Sequence, residues 1–191
     1  PHITNEIKDR IRDLARLQEA DIVIAEVGGT VGDIESLPFL EAIRQMRKEE
    51  GAENTIFVHV TLVPSIGPWG EIKTKPTQHS VINLRQIGIS PDVLICRTEE
   101  PLPADVKDKI SLFCDVPSEA VIDSLTVETI YEVPLKYEEV GLGNLVCQRL
   151  GLEHRSSGLA EWRKIVETLK NPTTGVKIGV VGKYTNNGDA Y

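Results

Sequence analysis

Five short runs rich in valine and isoleucine, separated by segments with helical periodicity, constrain this chain more than any other feature of its sequence. The runs show no regular alternation of apolar and polar residues, which is typical of strands buried on both faces of a sheet. Strands that alternate with helices predict an α/β fold with a mostly parallel sheet and helices on both faces. The predicted strands are residues 21–27, 55–63, 91–97, 119–125 and 176–181.

Apolar residues recur at helical spacing in the segments 36–49, 77–87 and 104–114, and a further short helix is expected at 159–170. Ser36 is placed to cap the first of these helices, because serine is favoured at that position. In open parallel sheets, ligands bind at the carboxyl ends of the strands. We therefore expect function in the loops that follow the strands.

Composition excludes several classes of protein. The formal net charge is −8, whereas general binders of nucleic acids or membrane surfaces carry a broad basic face. The longest apolar stretch, residues 55–63, is too short to span a bilayer. The three cysteines lack the spacing of a zinc site or a redox dithiol, which predicts a reducing, cytoplasmic location.

Turn-forming residues predict how the chain is divided. The polar stretch 153–158 and the sequence Asn-Pro-Thr-Thr-Gly at 171–175 interrupt the pattern of strands and helices. We expect one domain at residues 1–150, a helix and linker at 151–175, and the start of a second domain at 176–191. The two termini predict that the chain is a segment of a longer protein, and no signal peptide is expected.

The loop after the first predicted strand combines glycines with acids. Glu26 ends that strand, and Gly28, Gly29 and Gly32 precede Asp33 and Glu35. A carboxylate at the tip of a buried strand is how phosphate-transferring enzymes hold Mg²⁺, and glycines allow close approach of the backbone to a ligand. The alternative is a tight turn into a helix, whose N-terminus the acids favour.

A basic loop precedes the second predicted helix. Residues 71–80 contain Lys73, Lys75 and His79 among threonines and a glutamine. Ammonium groups, hydroxyls and the free N–H groups of a helix N-terminus suit a triphosphate. A solvated basic turn is the alternative, although the predicted topology brings this loop and the glycine loop to one crevice.

Other candidate motifs are weaker. Arg97 ends the third predicted strand, where it can stack on a nucleobase or pair with Glu99. Lys109 has the pattern of a surface lysine. The sequence Gly179–Tyr184 lacks the spacing and the hydroxyl of a Walker A loop, and the glycine loop is not the Rossmann fingerprint.

Two strings of residues resemble the signature loops of the CTP synthase family. They are Glu-Val-Gly-Gly-Thr-Val-Gly-Asp-Ile-Glu-Ser at 26–36 and Lys-Thr-Lys-Pro-Thr-Gln-His-Ser at 73–80. The resemblance continues through residues 1–4, 91–97 and 109–114. It resumes at 180–184, which is similar to the opening of the family's glutaminase domain.

The resemblance implies a role for each matching residue. Glu26 would be a ligand of Mg²⁺, and Asp33, Ile34 and Glu35 would lie where the pyrimidine nucleotide, especially the inhibitor CTP, is sensed. Arg97 and the backbone of Leu125, Thr126 and Val127 would contact the adenine of ATP. The UTP or CTP triphosphate would be held by Lys73, Thr74, Lys75, Pro76, Thr77, Gln78 and Lys109.

The resemblance also implies the activity, a ligase reaction that forms a C–N bond. ATP would phosphorylate O4 of UTP, and ammonia released from glutamine would displace phosphate to give CTP, the feedback inhibitor. It implies a P-loop NTPase-like synthetase domain similar to dethiobiotin synthetase, here without its N-terminal part. GTP and glutamine would act through a glutaminase domain that these residues lack, in a homotetramer.

The implied phosphate loop and glutaminase are absent from residues 1–191, so the isolated chain is expected to be inactive. Two other functions stay open at this point. One is a non-catalytic module that senses nucleotides by binding CTP, and the other is an ATP-dependent ligase resembling dethiobiotin synthetase.

Overall fold

The computed structural model describes residues 1–154 and 158–183. The chain forms two compact units, Pro1–Ser156 and Ser157–Tyr191. The first unit contains α1 (His2–Leu17), α2 (Leu37–Glu50), β1 (Val58–Leu62), β2 (Ser65–Ile66), β3 (Glu71–Ile72), α3 (Lys75–Gln86), β4 (Val93–Thr98), α4 (Ala104–Cys114), β5 (Val121–Leu125), α5 (Val133–Glu139) and α6 (Leu142–Arg149). The second unit contains α7 (Leu159–Lys170).

A three-stranded parallel sheet forms the centre of the first unit. Its order is β1-β4-β5, and Thr61, Cys96 and Asp123 lie in register and therefore share one face. Helix α3 contacts that face through Thr77, which lies 3.0 Å from Thr61. On the opposite face, Tyr137 of α5 hydrogen-bonds Ser124 at 2.9 Å. The predicted α/β class, with a parallel sheet between helices, is confirmed.

The core lies around the central strand. Residues Val93 to Cys96 of β4 are at most 3% exposed, and helix α4 adds Ile110 and Cys114 to the same cluster. A second, smaller cluster joins α2 and α3 through Leu40, Leu84 and Ile89, with Val27 and Val31 packed against it. Burial of these side chains is the main stabilising term.

Strand β1 is less buried than its sequence predicts. Val58, Val60 and Leu62 are 45–57% exposed, because β1 is an edge strand whose outer face is uncovered among the described residues. His59 and Thr61 point to the covered face, where His59 hydrogen-bonds Ser80 of α3 at 2.9 Å. The prediction of a strand at 55–63 is confirmed in part, but burial on both faces is wrong.

Two predicted strands are absent. Residues 21–27 and 176–181 form no strand, and most of their apolar side chains are exposed, for example Ile24 at 90% and Ile178 at 85%. A strand requires a partner that completes its ladder of hydrogen bonds, and neither segment pairs with another strand in the described part of the chain. These two runs have the composition of strands, but they lack a neighbouring strand with which to pair in the described part of the chain.

The helices predicted from periodicity are confirmed as α2, α3, α4 and α7. Ser36 occupies the position before α2, but its hydroxyl donates to the carbonyl of Gly28 at 3.2 Å instead of capping the helix. Helices α1, α5 and α6 and the β2–β3 hairpin are additional elements. No helix of residues 1–154 or 158–183 has the length and hydrophobicity needed to cross a bilayer.

Two of the three cysteines should be unreactive in the folded protein. Burial is the main cause that raises the pKa of Cys96 and of Cys114 to about 11, so little thiolate is present at pH 8. Cys147 is partly exposed. We expect one thiol to react rapidly with an aromatic disulfide reagent at pH 8, and all three after unfolding in urea. Rapid reaction of three thiols without denaturant would contradict this packing.

Candidate functional site

The glycine loop is folded by its own side chains. Asp33 Oδ2 accepts a hydrogen bond from the backbone N–H of Thr30 at 2.9 Å, and Ser36 bonds Gly28. Gly29 has a φ of +87°, which favours glycine, and a Cβ there would also make a tight contact of 3.1 Å with Ser36 Oγ. The Asp33 carboxylate therefore already shapes the turn, while Ile34 at 81% exposure faces solvent.

Glu26 and Glu35 are the free carboxylates of this loop. Both are exposed, and neither forms a hydrogen bond or an ion pair with the described residues. In the parts of the chain that the structure describes, no group of three or more His, Cys, Asp or Glu side chains is arranged to hold a metal ion. Mg²⁺ is commonly bound by one or two carboxylates together with phosphates and water, and the free carboxylate of Glu26 beside the glycine loop fits that pattern.

The basic loop lies at the carboxyl end of β1. The β2–β3 hairpin follows β1, and Lys73 N–H donates to the carbonyl of Pro64 at 2.9 Å, which closes the hairpin. Lys75 begins α3 and is exposed, with Pro76 in the first turn, where proline is tolerated. Lys73 is 37% exposed, and its ammonium lies 2.5 Å from Glu71. Two lysines thus flank the free N–H groups of a 12-residue helix.

Three other polar residues of this loop are buried and have internal partners. Thr74, Thr77 and Gln78 are 5%, 0% and 6% exposed, respectively. Gln78 Nε2 donates to Thr74 Oγ1 at 3.0 Å, and Thr77 Oγ1 lies 3.1 Å from the carbonyl of Leu62. Lys73 and Lys75 are therefore the accessible lysines of the segment, while the threonines and the glutamine fix its shape.

Arg97 and residues 125–127 meet at the same edge of the sheet. Arg97 pairs in register with Leu62 of β1 and with Ser124 of β5. Thr126 N–H donates to the carbonyl of Thr98 at 3.2 Å, so the chain leaving β5 runs beside the end of β4. The Arg97 side chain is exposed and has no ion pair among the described residues, which excludes the alternative pairing with Glu99 here.

Lys109 is the one predicted triphosphate ligand that lies outside the segment 73–78 in sequence. It is exposed on α4 without an ion pair in the described part of the chain. The neighbouring Lys107 instead contacts Asp123 of β5 at 2.9 Å. No hydrogen bond or ion pair among the described residues joins the glycine loop to the basic loop, although Val31 and Leu84 of α3 share one apolar cluster.

Sequence reasoning missed the residues that support the basic loop. These residues are Thr61 and Leu62 of β1, whose hydroxyl and carbonyl groups, respectively, hydrogen-bond the hydroxyl of Thr77. A threonine within an apolar run was the available signal, because a buried hydroxyl requires a partner. The hairpin turn, with positive φ at Gly67 and Gly70, was also missed, and it places Trp69 in solvent at 93% exposure.

Comparisons with known proteins cover the whole chain. The family model described as CTP synthase N-terminus matches residues 1–152. CTP synthase of Ruminiclostridium cellulolyticum is 59% identical over 191 residues, which are 100% of this chain and 36% of that protein. The Methanococcus maripaludis and Methanocaldococcus jannaschii proteins of the same name are 57% and 58% identical over the full chain, which covers 36% and 35% of them.

The chain thus spans little more than a third of the length of the curated relatives it matches. The family model nevertheless extends over the sheet, both loops and α1–α6, which end at Arg149. More than half of the residues are identical to those of each relative, and the alignments cover the whole chain, which establishes homology. The chain belongs to the CTP synthase family.

Proposed function

We propose that residues 1–191 form the pyrimidine-nucleotide half of a CTP synthase, in which UTP is aminated to CTP at the expense of ATP. The observation that carries the proposal is the placement of two accessible lysines, the partly exposed Lys73 and the exposed Lys75, around the N-terminus of α3 at the carboxyl end of β1. In a chain of net charge −8, this local positive cluster suits a triphosphate. The relatives are named CTP synthase, which gives the product, and the amination of UTP with ATP is inferred from the resemblance of the two signature loops.

The triphosphate of UTP would lie over the first turn of α3. Lys73 and Lys75 would supply ammonium groups, and the backbone N–H groups of the first turn would bond phosphate oxygens. Lys73 forms an ion pair with Glu71, whose carboxylate oxygen is 2.5 Å from the ammonium nitrogen. A bound phosphate would have to compete with Glu71 for this lysine. Lys109, Thr74, Pro76, Thr77 and Gln78 complete the proposed set, and Asp33, Ile34 and Glu35 would sense the pyrimidine nucleotide.

ATP would bind beside the ends of β4 and β5. Arg97 has a free guanidinium there, and the backbone of residues 125–127 offers hydrogen-bonding groups to an adenine edge. Glu26 would hold Mg²⁺ as one carboxylate ligand, and the ion would offset repulsion between two triphosphates. The full-length sheet would resemble that of P-loop NTPases such as dethiobiotin synthetase.

The proposed reaction transfers the γ-phosphoryl group of ATP to O4 of UTP, which converts a poor leaving group into phosphate. Ammonia then forms the bond to C4 as the C–O bond breaks, giving CTP, ADP and phosphate. The residues of this chain bind and orient the two nucleotides, and positioning with electrostatic stabilisation dominates such catalysis.

Other properties of the full-length protein are proposals from the same family membership. They are a cytoplasmic homotetramer, inhibition by CTP, activation by GTP, and ammonia supplied from glutamine by a further domain. Residues 1–150 would be the synthetase part, 151–175 the linker, and 176–191 the start of the glutaminase domain. Of these, residues 155–157 and 184–191 lie outside those that the structure describes.

The test compares the isolated chain with the full-length protein, cloned with the coding sequence on either side. With ATP, Mg²⁺ and ammonia or glutamine, we expect the full-length protein to convert UTP to CTP, measured by chromatography of the nucleotides. We expect no conversion by residues 1–191 alone.

Two results would contradict the proposal. Turnover by the isolated chain would show that the missing segments are not needed. A full-length protein that binds CTP in calorimetry without aminating UTP would instead be a nucleotide sensor.

A further inference from the structure

The Thr77 side chain is fully buried although it lies in a polar segment of the chain. Its exposure is 0%, and its hydroxyl oxygen is 3.0 Å from Thr61 Oγ1 and 3.1 Å from the carbonyl oxygen of Leu62. A carbonyl can only accept, so the proton of Thr77 is directed to Leu62. The hydroxyl group is therefore not accessible to a ligand.

These contacts join the first turn of α3 to the end of β1. Thr77 is the third residue of the helix, and Thr61 and Leu62 are the last two residues of the strand. The chain between them is the β2–β3 hairpin, which is closed by the bond from Lys73 N–H to the carbonyl of Pro64 at 2.9 Å. Thr77 is therefore the side-chain link nearest to Lys73 and Lys75 in the sequence, and it helps to set where they lie relative to the sheet edge.

We propose that Thr77 is a positioning residue for the two phosphate-binding lysines and that its side chain does not itself contact the nucleotide. The inference rests on the proposed function and changes it at one point, since the segment 73–78 then divides into two groups by burial. Lys73 and Lys75 face the ligand, and Thr77 holds the backbone that carries them. Small displacements of binding groups lower the rate of a positioned reaction strongly.

The test uses three variants of the full-length protein. Thr77→Val keeps the shape and removes the hydroxyl, Thr77→Ser keeps the hydroxyl, and Thr61→Val removes the strand partner without altering the loop. We expect Thr77→Val to raise KM for UTP about tenfold, because a buried acceptor loses its donor. KM for ATP should stay within about twofold, since Arg97 and residues 125–127 are held by other contacts.

The two other variants separate positioning from direct contact. Thr77→Ser should restore KM for UTP to near the wild-type value, and Thr61→Val should raise it in the same direction as Thr77→Val. A raised KM in Thr77→Val with an unchanged KM in Thr61→Val would show that the contact between Thr77 and Thr61 does not position the lysines, and it would overturn the proposal. Equal rises in the KM for UTP and ATP would indicate general loss of structure and would overturn it too.

The outcomes also separate this inference from the proposed function. If the wild-type protein does not aminate UTP, the proposed function fails before the variants are compared. If it does and Thr77→Val leaves KM for UTP unchanged, only the positioning role is lost. Should Thr77→Val fail to fold, Thr77→Ser and Thr61→Val carry the comparison, and an unchanged KM in Thr61→Val overturns the role.

Discussion

Replacing Lys75 by alanine in the full-length protein is expected to lower kcat/KM for UTP by about 10- to 100-fold. The ammonium group is exposed in the first turn of α3 and pairs with no described residue, so it is available to a phosphate. A hydrogen bond to a charged group contributes about 1.5–3 kcal/mol, and each 1.36 kcal/mol is a tenfold change in rate. Steady-state kinetics with UTP varied at saturating ATP would measure the loss.

Lys48 provides the matched control for this substitution. It is an exposed lysine near the end of α2, distant in the chain from the basic loop and without an ion pair among the described residues. Lys48→Ala should leave kcat/KM within about twofold of wild type, because isolated surface charges contribute little. Equal losses in the two variants, or none in Lys75→Ala, would show that the N-terminus of α3 does not bind the triphosphate.

Local pattern was sufficient to predict α2, α3, α4 and α7 and the central strands, although not α1, α5 and α6. Residues 93–96 of β4 are apolar without interruption and lie in the core, and α4 begins and ends where its periodicity predicts. The pattern failed at residues 21–27 and 176–181, because strand formation depends on a neighbour elsewhere in the chain. A run of valine and isoleucine provides side chains that suit a sheet. Whether the run forms a strand depends on pairing with a segment elsewhere in the chain.

The candidate site was predicted in composition but only partly in arrangement. Polar residues between a strand and a helix have the same pattern whether they bond a ligand or the backbone. Lys75 and Thr77 are two residues apart, yet one is exposed and the other fully buried. The partner that buries Thr77 is Thr61, 16 residues earlier, and no local rule connects the two positions.

Replacing Asp92 by asparagine is expected to lower the free energy of unfolding by about 2 kcal/mol. Its carboxylate accepts two hydrogen bonds from Arg47 of α2, at 2.6 and 2.9 Å, and one from the backbone N–H of Phe57 at 2.7 Å. The Arg47 guanidinium also lies 4.9 Å from the centre of the Phe57 ring. One carboxylate thus joins α2 to the segments that enter β1 and β4.

Asparagine would present an NH₂ group to a guanidinium that can only donate, so one bond of the pair is lost and charge attraction is removed. The side chain of Asp92 is 14% exposed, which limits compensation by water. The loss is below that of a fully buried ion pair, because Arg47 keeps 28% exposure. Urea unfolding monitored by circular dichroism would measure this loss of stability, with one m-value fitted to both proteins.

Asp21 is the matched control, since it is exposed and has no partner among the described residues. Asp21→Asn should change the free energy of unfolding by less than about 0.5 kcal/mol. Asp92 precedes the amino end of β4, opposite the edge that carries Arg97, so Asp92→Asn should destabilise the protein while KM for UTP stays unchanged. A raised KM with unchanged stability would mean that this anchor controls the site instead of the packing of α2 on the sheet.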